Sequence, residues 1–321
     1  MNLELDRVLP AILVASLLFL ASCSQEESHP PPSGVHRMWP TGTYPSPSPV
    51  DGRVLFTQEE SPAGLYVLNG QSAILLNSSG PEARTDYTWS ADGRRIAFSS
   101  PGLAGGAQAG IWISDADALS SLHRIWDRGS HPRFYPVETL IVCAGPEDGS
   151  ADEGIWQMDF LGGTRQHLIT FGVDLEISPD GTRIAYLITT GGSTGRTMIV
   201  YNRVSQGRDT VAVSVLRHAW LSDSRTLVYE TMQNGAQEIN VVAPGVDILG
   251  ITIASGTSPS GMLNSAEFVF AGISGDRLNC IFRAARDQSP IQISTIGANP
   301  RHAGGNRVVA QDSTGILEIF Y

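Results

Sequence analysis

Few residues in the chain have the types and spacing for chemistry, and each needs a context. Gly191-Gly192-Ser193-Thr194-Gly195 matches G-x-S-x-G, the elbow that raises a nucleophilic serine on a strand-to-helix turn ahead of a later acid and histidine. Here it lies between two strand-like runs, so a loop is expected and no catalytic residue is assigned. Asp148, Asp152 and Glu153 in "GPEDGSADEG" are hard-cation ligand types, but their spacing lacks the Glu that closes an EF-hand loop. A solvated acidic loop is expected there. The seven histidines show no H-x-x-x-H or clustered spacing, so neither a metal nor a cofactor is expected. A third group is scattered through the chain but recurs around similar turns: Arg84, Asp86, His131, Arg133, Asp174, Glu176, Arg217, His218, Arg301 and His302. Its chemistry is recognition by charge and hydrogen bonds, provided that one scaffold brings its members together.

The turns supply that scaffold. "EISPDGTRIAYL" reads as strand, Pro-Asp-Gly turn, strand, and the chain keeps rewriting it. Copies are "SPSPVDGRVLFTQ", "TWSADGRRIAFSS", "RFYPVETLIVCAG", "EISPDGTRIAYLI", "AWLSDSRTLVYET", a blurred "TSPSGMLNSAEFVFAG" and "PRHAGGNRVVAQD". Turns opening at 48, 90, 134, 178, 222, 260 and 302 repeat at about 43 residues, a period that marks a repeat architecture. Pro presets φ in the turn, Asp bonds local backbone, and Gly takes φ > 0. Each copy continues with strands such as "GIWISDA" and "TVAVSVL", giving four strands per repeat. Second strands such as "RIAYLI" are continuously apolar, as strands covered on both faces are. No segment reads as a long amphipathic helix.

A lone four-stranded sheet cannot bury both faces, whereas sheets stacked around an axis can. The expected fold is therefore all-β, a seven-bladed β-propeller over residues 35–321. A six-bladed ring, with the blurred sixth copy merged into a neighbour, is the alternative. "VHRMWPTG" before the first turn aligns with "LHRIWDRG" at 122–129, and the last copy is one strand short. Val35 to Trp39 is thus expected to complete the C-terminal blade and remove both open sheet edges. The loops joining each outer strand to the next inner strand would then bring the charged group to one channel mouth. Trp89 and Trp220, at matching repeat positions, are read as core.

"WSADGRRIAF" and "ISPDGTRIAY", followed by "GIWISDA" or "GIWQMDF", resemble the propeller repeats of TolB and its relatives. The resemblance implies a periplasmic binding or scaffold module. It covers roughly residues 35–321, leaving no room for the N-terminal α/β domain of TolB.

Ahead of the repeats, Val8 to Leu20 is an apolar run placed like a signal-peptide core, and it ends in Leu20-Ala21-Ser22-Cys23. This tetrad resembles the lipobox of bacterial lipoproteins, which implies cleavage after residue 22 and lipidation of Cys23. Glu4 and Asp6 depart from the positive flank usual in such signals. "SQEESHPPPSG" has almost no apolar content, so residues 23–34 are expected to form a Pro-rich tether of about 30 Å. Ser24 stands where an Asp commonly marks inner-membrane retention, which favours outer-membrane placement facing the periplasm. Losing residues 1–22 takes the net charge from −11 to −10, which argues against nucleic acid or an anionic membrane as partner. The lipid anchor is the only membrane contact expected. All 21 basic residues are arginine. Cys143 and Cys280 fall in distant repeats and are expected to be buried free thiols. The expected molecule is a monomer binding an envelope protein or glycan. An enzyme such as a polysaccharide lyase or hydrolase acting in the channel, or a small-ligand sensor, is the competing reading.

Overall fold

The computed structural model describes residues 34–60, 62–76, 86–100, 109–117, 119–137, 139–146, 153–189, 196–233 and 235–321. Its regular structure is antiparallel strand throughout, apart from one 3-10 turn at Leu119–Ser121. After β1 (Val35–Trp39) come β2 (Thr43–Pro47), β3 (Val54–Gln58), β4 (Gly64–Asn69) and β5 (Ser72–Leu75), paired in that order. The next unit is β6 (Tyr87–Trp89), β7 (Arg95–Ser100), β8 (Gly110–Asp115) and β9 (His123–Trp126). A third is β10 (Ser130–Phe134), β11 (Leu140–Pro146), β12 (Glu153–Asp159) and β13 (Gln166–Ile169).

Then β14 (Val173–Ile177), β15 (Arg183–Ile188), β16 (Arg196–Asn202), β17 (Arg208–Trp220), β18 (Leu227–Gln233), β19 (Ala236–Val242), β20 (Ile251–Gly261), β21 (Glu267–Ser274), β22 (Arg277–Ala285) and β23 (Ile291–Ser294) run on as one hydrogen-bonded series. Two strands in it serve two units. The first part of β17 pairs with β16 and its end with β18, and β20 is divided in the same way between β19 and β21. The last unit is β24 (Ala298–His302), β25 (Arg307–Asp312) and β26 (Gly315–Phe320), with β1 paired on β26 and Val35 opposite Ile319.

The core lies between units rather than within them. Leu55, Leu65 and Val67 pack with Tyr87, Trp89, Ile96 and Phe98 of the following unit. Val54 and Phe56 pack with Val309 and Ile316 of the last unit. Each such aromatic or aliphatic side chain stabilises the fold by roughly 1.5–3 kcal/mol when fully buried. This two-sided burial explains why the second strands are apolar without alternation. Cys143 and Cys280 are buried and free, and Trp89 and Trp220 are each 7% exposed.

One glycine is required at equivalent places. Gly110 and Gly315 open their strands at φ 129° and 127°, where a Cβ would lie 2.0 Å from the Trp126 carbonyl oxygen and 2.1 Å from that of Trp39. Trp126 ends β9 and Trp39 ends β1, so β1 stands to β26 as β9 stands to β8. The turns also correct the register of the repeat. The backbone N–H closing each first turn belongs to Ser48, Ser90, Tyr135, Ser178, Leu221, Met262 and Ala303. The sixth turn therefore opens at Met262 rather than 260, and the short step in the sequence spacing disappears.

Candidate functional site at the channel mouth

Counting back from those turn nitrogens shows how the inner strands build the site. Four residues earlier stand Tyr44, Asp86, His131, Asp174, Arg217, Ser258 and Asn299, and two residues earlier Ser46, Thr88, Arg133, Glu176, Ala219, Ser260 and Arg301. The residue between them, Pro45, Tyr87, Pro132, Leu175, His218, Pro259 or Pro300, is buried in every unit, so these positions form an outer and an inner rung. Contacts between neighbouring units follow the rungs, at separations of 41 to 44 residues. The Tyr87 hydroxyl donates to the Tyr44 carbonyl, Trp89 Nε1 donates to the Ser46 carbonyl at 2.9 Å, and Trp220 Nε1 donates to the Glu176 carbonyl at 3.1 Å.

The outer rung rests on a repeated irregularity. The ladder slips a register within β2, β10, β14, β17, β20 and β24. Tyr44, His131, Asp174, Ser258 and Asn299 take positive φ there, between 46° and 55°. Four of them precede proline, which has no N–H to leave unpaired in a bulge. Bulges re-aim side chains at sheet rims, and non-glycine residues hold this conformation only where their surroundings impose it. The scaffold thus repeats, while the side chain it presents changes from unit to unit.

One side of the mouth is an ion network. His131 Nε2 hydrogen-bonds to Asp174 Oδ1 and lies 3.3 Å from Asp86 Oδ1, while Arg196 pairs with the other Asp174 oxygen. The Ser99 hydroxyl donates to Asp86 at 3.1 Å. Below it, Arg133 donates through Nε and Nη2 to Glu176 Oε1 at 3.0 and 2.7 Å. Burial opposes charge on His131, but the Asp174 hydrogen bond and the Asp86 and Asp174 charges outweigh it and raise its pKa. Burial likewise opposes ionisation of Asp174, and His131 and Arg196 overcome it, holding that carboxyl well below the usual range. Glu176 is lowered in the same way, with Arg133 outweighing burial. His131 Nδ1 is 2.9 Å from Ser130 Oγ, a formal Ser-His-Asp arrangement. The two carboxylates favour the charged imidazole, which donates from both nitrogens and makes a poorer base toward the serine.

The other side holds two arginines, Arg217 and Arg301. Arg217 donates to Ser258 Oγ, which donates to Asn299 Oδ1 at 2.8 Å. Arg301 donates to the Pro300 carbonyl at 3.2 Å. Among the described residues neither arginine has a carboxylate within 4.0 Å. Burial, with the like charges of Arg217 and Arg133, lowers the Arg301 pKa against the pull of Glu176.

Of the residues singled out in the sequence, Asp86, His131, Arg133, Asp174, Glu176, Arg217 and Arg301 come together on the rungs. Arg84 lies outside the described residues, as do Asp148, Asp152 and the 191–195 motif. His218 falls between rungs, so it faces sideways, buried, with Nε2 3.4 Å from the Ala185 carbonyl oxygen. His302 is at the opposite end. It accepts from Leu263 N at 2.9 Å and its Nε2 lies 2.9 Å from the Gly305 carbonyl oxygen, tying two turns together. Tyr44, Ser258, Asn299 and Arg196 were missed because nothing in their types marks them. Glu230 left a signal, a lone carboxylate in the apolar run "LVYET". It is 2% exposed and accepts from Ser258 N at 2.8 Å and Gln237 Nε2 at 2.8 Å, fixing the bulge behind Arg217. Among the described residues no group of three or more His, Cys, Asp and Glu could hold a metal ion.

No protein-family model and no curated protein matches the sequence. Solved structures do. An oligogalacturonate lyase from Vibrio parahaemolyticus is similar with a TM-score of 0.67 and 13% identity, over 90% of this chain and 95% of that one. The β-propeller domain of the Trilobed protease from Pyrococcus furiosus matches with a TM-score of 0.59 and 13% identity, over 87% and 95%. TolB from Acinetobacter baumannii matches with a TM-score of 0.52 and 15% identity over 68% of this chain, which spans 56% of the TolB chain. What these proteins share with the chain is a fold, and that fold is a TolB-like β-propeller.

Proposed function

We propose that the chain is a lipid-anchored cell-envelope protein whose propeller binds a partner protein at the channel mouth, without covalent chemistry. In this reading the propeller has seven blades, with β1 closing the ring on β26. Cys23 carries the lipid, residues 23–34 form the tether, and the monomer faces the periplasm from the outer membrane. The observation that carries the binding role is the divided mouth. Asp86, Asp174 and Glu176 are already matched by His131, Arg196 and Arg133, while Arg217 and Arg301 keep guanidinium donors for an incoming acceptor. A guanidinium fork suits a carboxylate, so an acidic segment of an envelope protein is the partner chemistry favoured.

The oligogalacturonate lyase likeness supports a second reading, in which the same arginines bind an acidic glycan. Capture from native envelope extract separates them, using the parent chain and a variant with Arg217→Glu and Arg301→Glu. The first reading expects a protein retained by the parent and lost by the variant. Retention that survives both substitutions contradicts it, and loss of the partner after glycan-degrading treatment favours the second.

A further inference from the structure

The apolar side chains that stand furthest into solvent lie at one end of the molecule. Val137, Leu161, Val204, Val246, Ile248 and Leu249 are 86%, 83%, 82%, 80%, 95% and 78% exposed. Each sits in a turn from the first to the second strand of its unit, or from the third to the outer strand. Antiparallel pairing puts all these turns at the end opposite the mouth. At the mouth end Tyr44, Phe171, Ile273, Leu278 and Ile296 reach 40%, 52%, 58%, 68% and 43%.

The six tips belong to the consecutive units that begin with β10, β14 and β17, and their turns are stitched together. The Arg203 guanidinium lies 3.9 Å over the Tyr135 ring, and Asp180 N donates to Ser224 Oγ at 2.9 Å. Nearby carboxylates are engaged locally. Asp159 accepts from the backbone of Leu161, Gly163 and Thr164 at 2.8, 2.9 and 3.2 Å, and Asp247 pairs with Arg286 at 2.7 Å. The chain preceding the propeller joins it at this same end, because Phe320 N, at the turn end of β26, donates to the Gly34 carbonyl at 3.1 Å.

We propose that this turn end docks on a lipid bilayer, with the apolar tips in the headgroup region and the mouth pointing away. The lipid-anchored reading above is what would bring the chain to that surface. Separate tips on polar turns make no continuous patch for a rigid partner, whereas a fluid interface conforms to each one and gains with the apolar area it covers. A tether of about 30 Å allows the propeller to lie against the surface that holds its anchor.

The test holds the full chain, with Cys23→Ser and a hexahistidine tag inserted after residue 23, on phosphatidylcholine vesicles through nickel-chelating lipid. An environment-sensitive dye is attached at Leu161→Cys, Ile248→Cys or Phe171→Cys. Cys143 and Cys280 are buried and do not compete for label. Docking predicts a blue shift, and loss of emission to lipid-borne nitroxides, at 161 and 248 but not at 171. Equal, water-like emission at all three positions overturns it. So does a blue shift that grows with protein concentration and resists lipid quenchers, which marks a second copy of the chain. Fractionation of the native chain against Cys23→Ser tests the anchor separately, so either idea can fail alone.

Discussion

At the residue scale the mouth is governed by His131, whose charge joins Asp86 and Asp174. Its folded pKa is raised above the ordinary 6.5, so its contribution to stability is complete below that value and is lost as pH rises through the folded pKa. Asp174 has the opposite sign. Its depressed pKa stabilises above the ordinary 3.8 and is lost only as pH falls through the folded value. His131→Gln is therefore expected to destabilise more at about pH 5.5 than at about pH 9, by on the order of 1 kcal/mol, as for a charge-assisted hydrogen bond partly open to water. Thermal unfolding of parent and variant across that range checks this; a difference independent of pH contradicts it. Arg217 and Arg301 are the counterpart. With no carboxylate within 4.0 Å among the described residues, they keep donors open to a ligand.

At the element scale β1 has the most to explain, because it is far in sequence from the strand it pairs with. It covers the edge of β26, and Met38 and Trp39 pack against the cluster of Val54, Phe56, Val309 and Ile316. A chain beginning at Gly42 should expose that edge and lose several kcal/mol, given roughly 2–5 kcal/mol for removal of one large buried side chain. Its melting temperature should fall and it should aggregate. Unchanged unfolding would show that β1 closes nothing. The strand was legible because Trp39 and Trp126 share a sequence frame and each lies against a required glycine. Turns with Asp were equally plain, since the Ser90 and Ser178 hydroxyls donate to Asp92 and Asp180 at 2.6 Å in each case. The turns at Tyr135 and Met262 lack that side-chain chemistry and are held by neighbouring units, so the sequence blurs there. The bulges explain the rest. An extra residue on β2, β10, β14, β17, β20 and β24 changes which side chains face the channel. His302 follows Arg301 directly in the sequence, but successive strand residues face opposite ways, so it leaves the rung, while Ser258 and Asn299 sit at bulges that the sequence does not mark.

At the scale of the whole molecule the two ends differ in kind. The mouth gathers charge on rungs contributed by five of the units, while the turn end carries the most exposed apolar side chains and is where the described chain begins at Gly34. Repetition of similar units explains why charged residues some 40 positions apart in sequence meet at one end of the molecule, and why no single motif announced the site. The central claim is that partners are recognised at the mouth. Photo-crosslinking in intact envelopes tests it most directly, with a photoreactive residue replacing Tyr44 at the mouth or Val50 at the turn end. Recognition at the mouth predicts a protein adduct from position 44 that disappears when Arg217→Glu and Arg301→Glu are added. An adduct from position 50 alone, or one from position 44 that ignores both charge reversals, would contradict it.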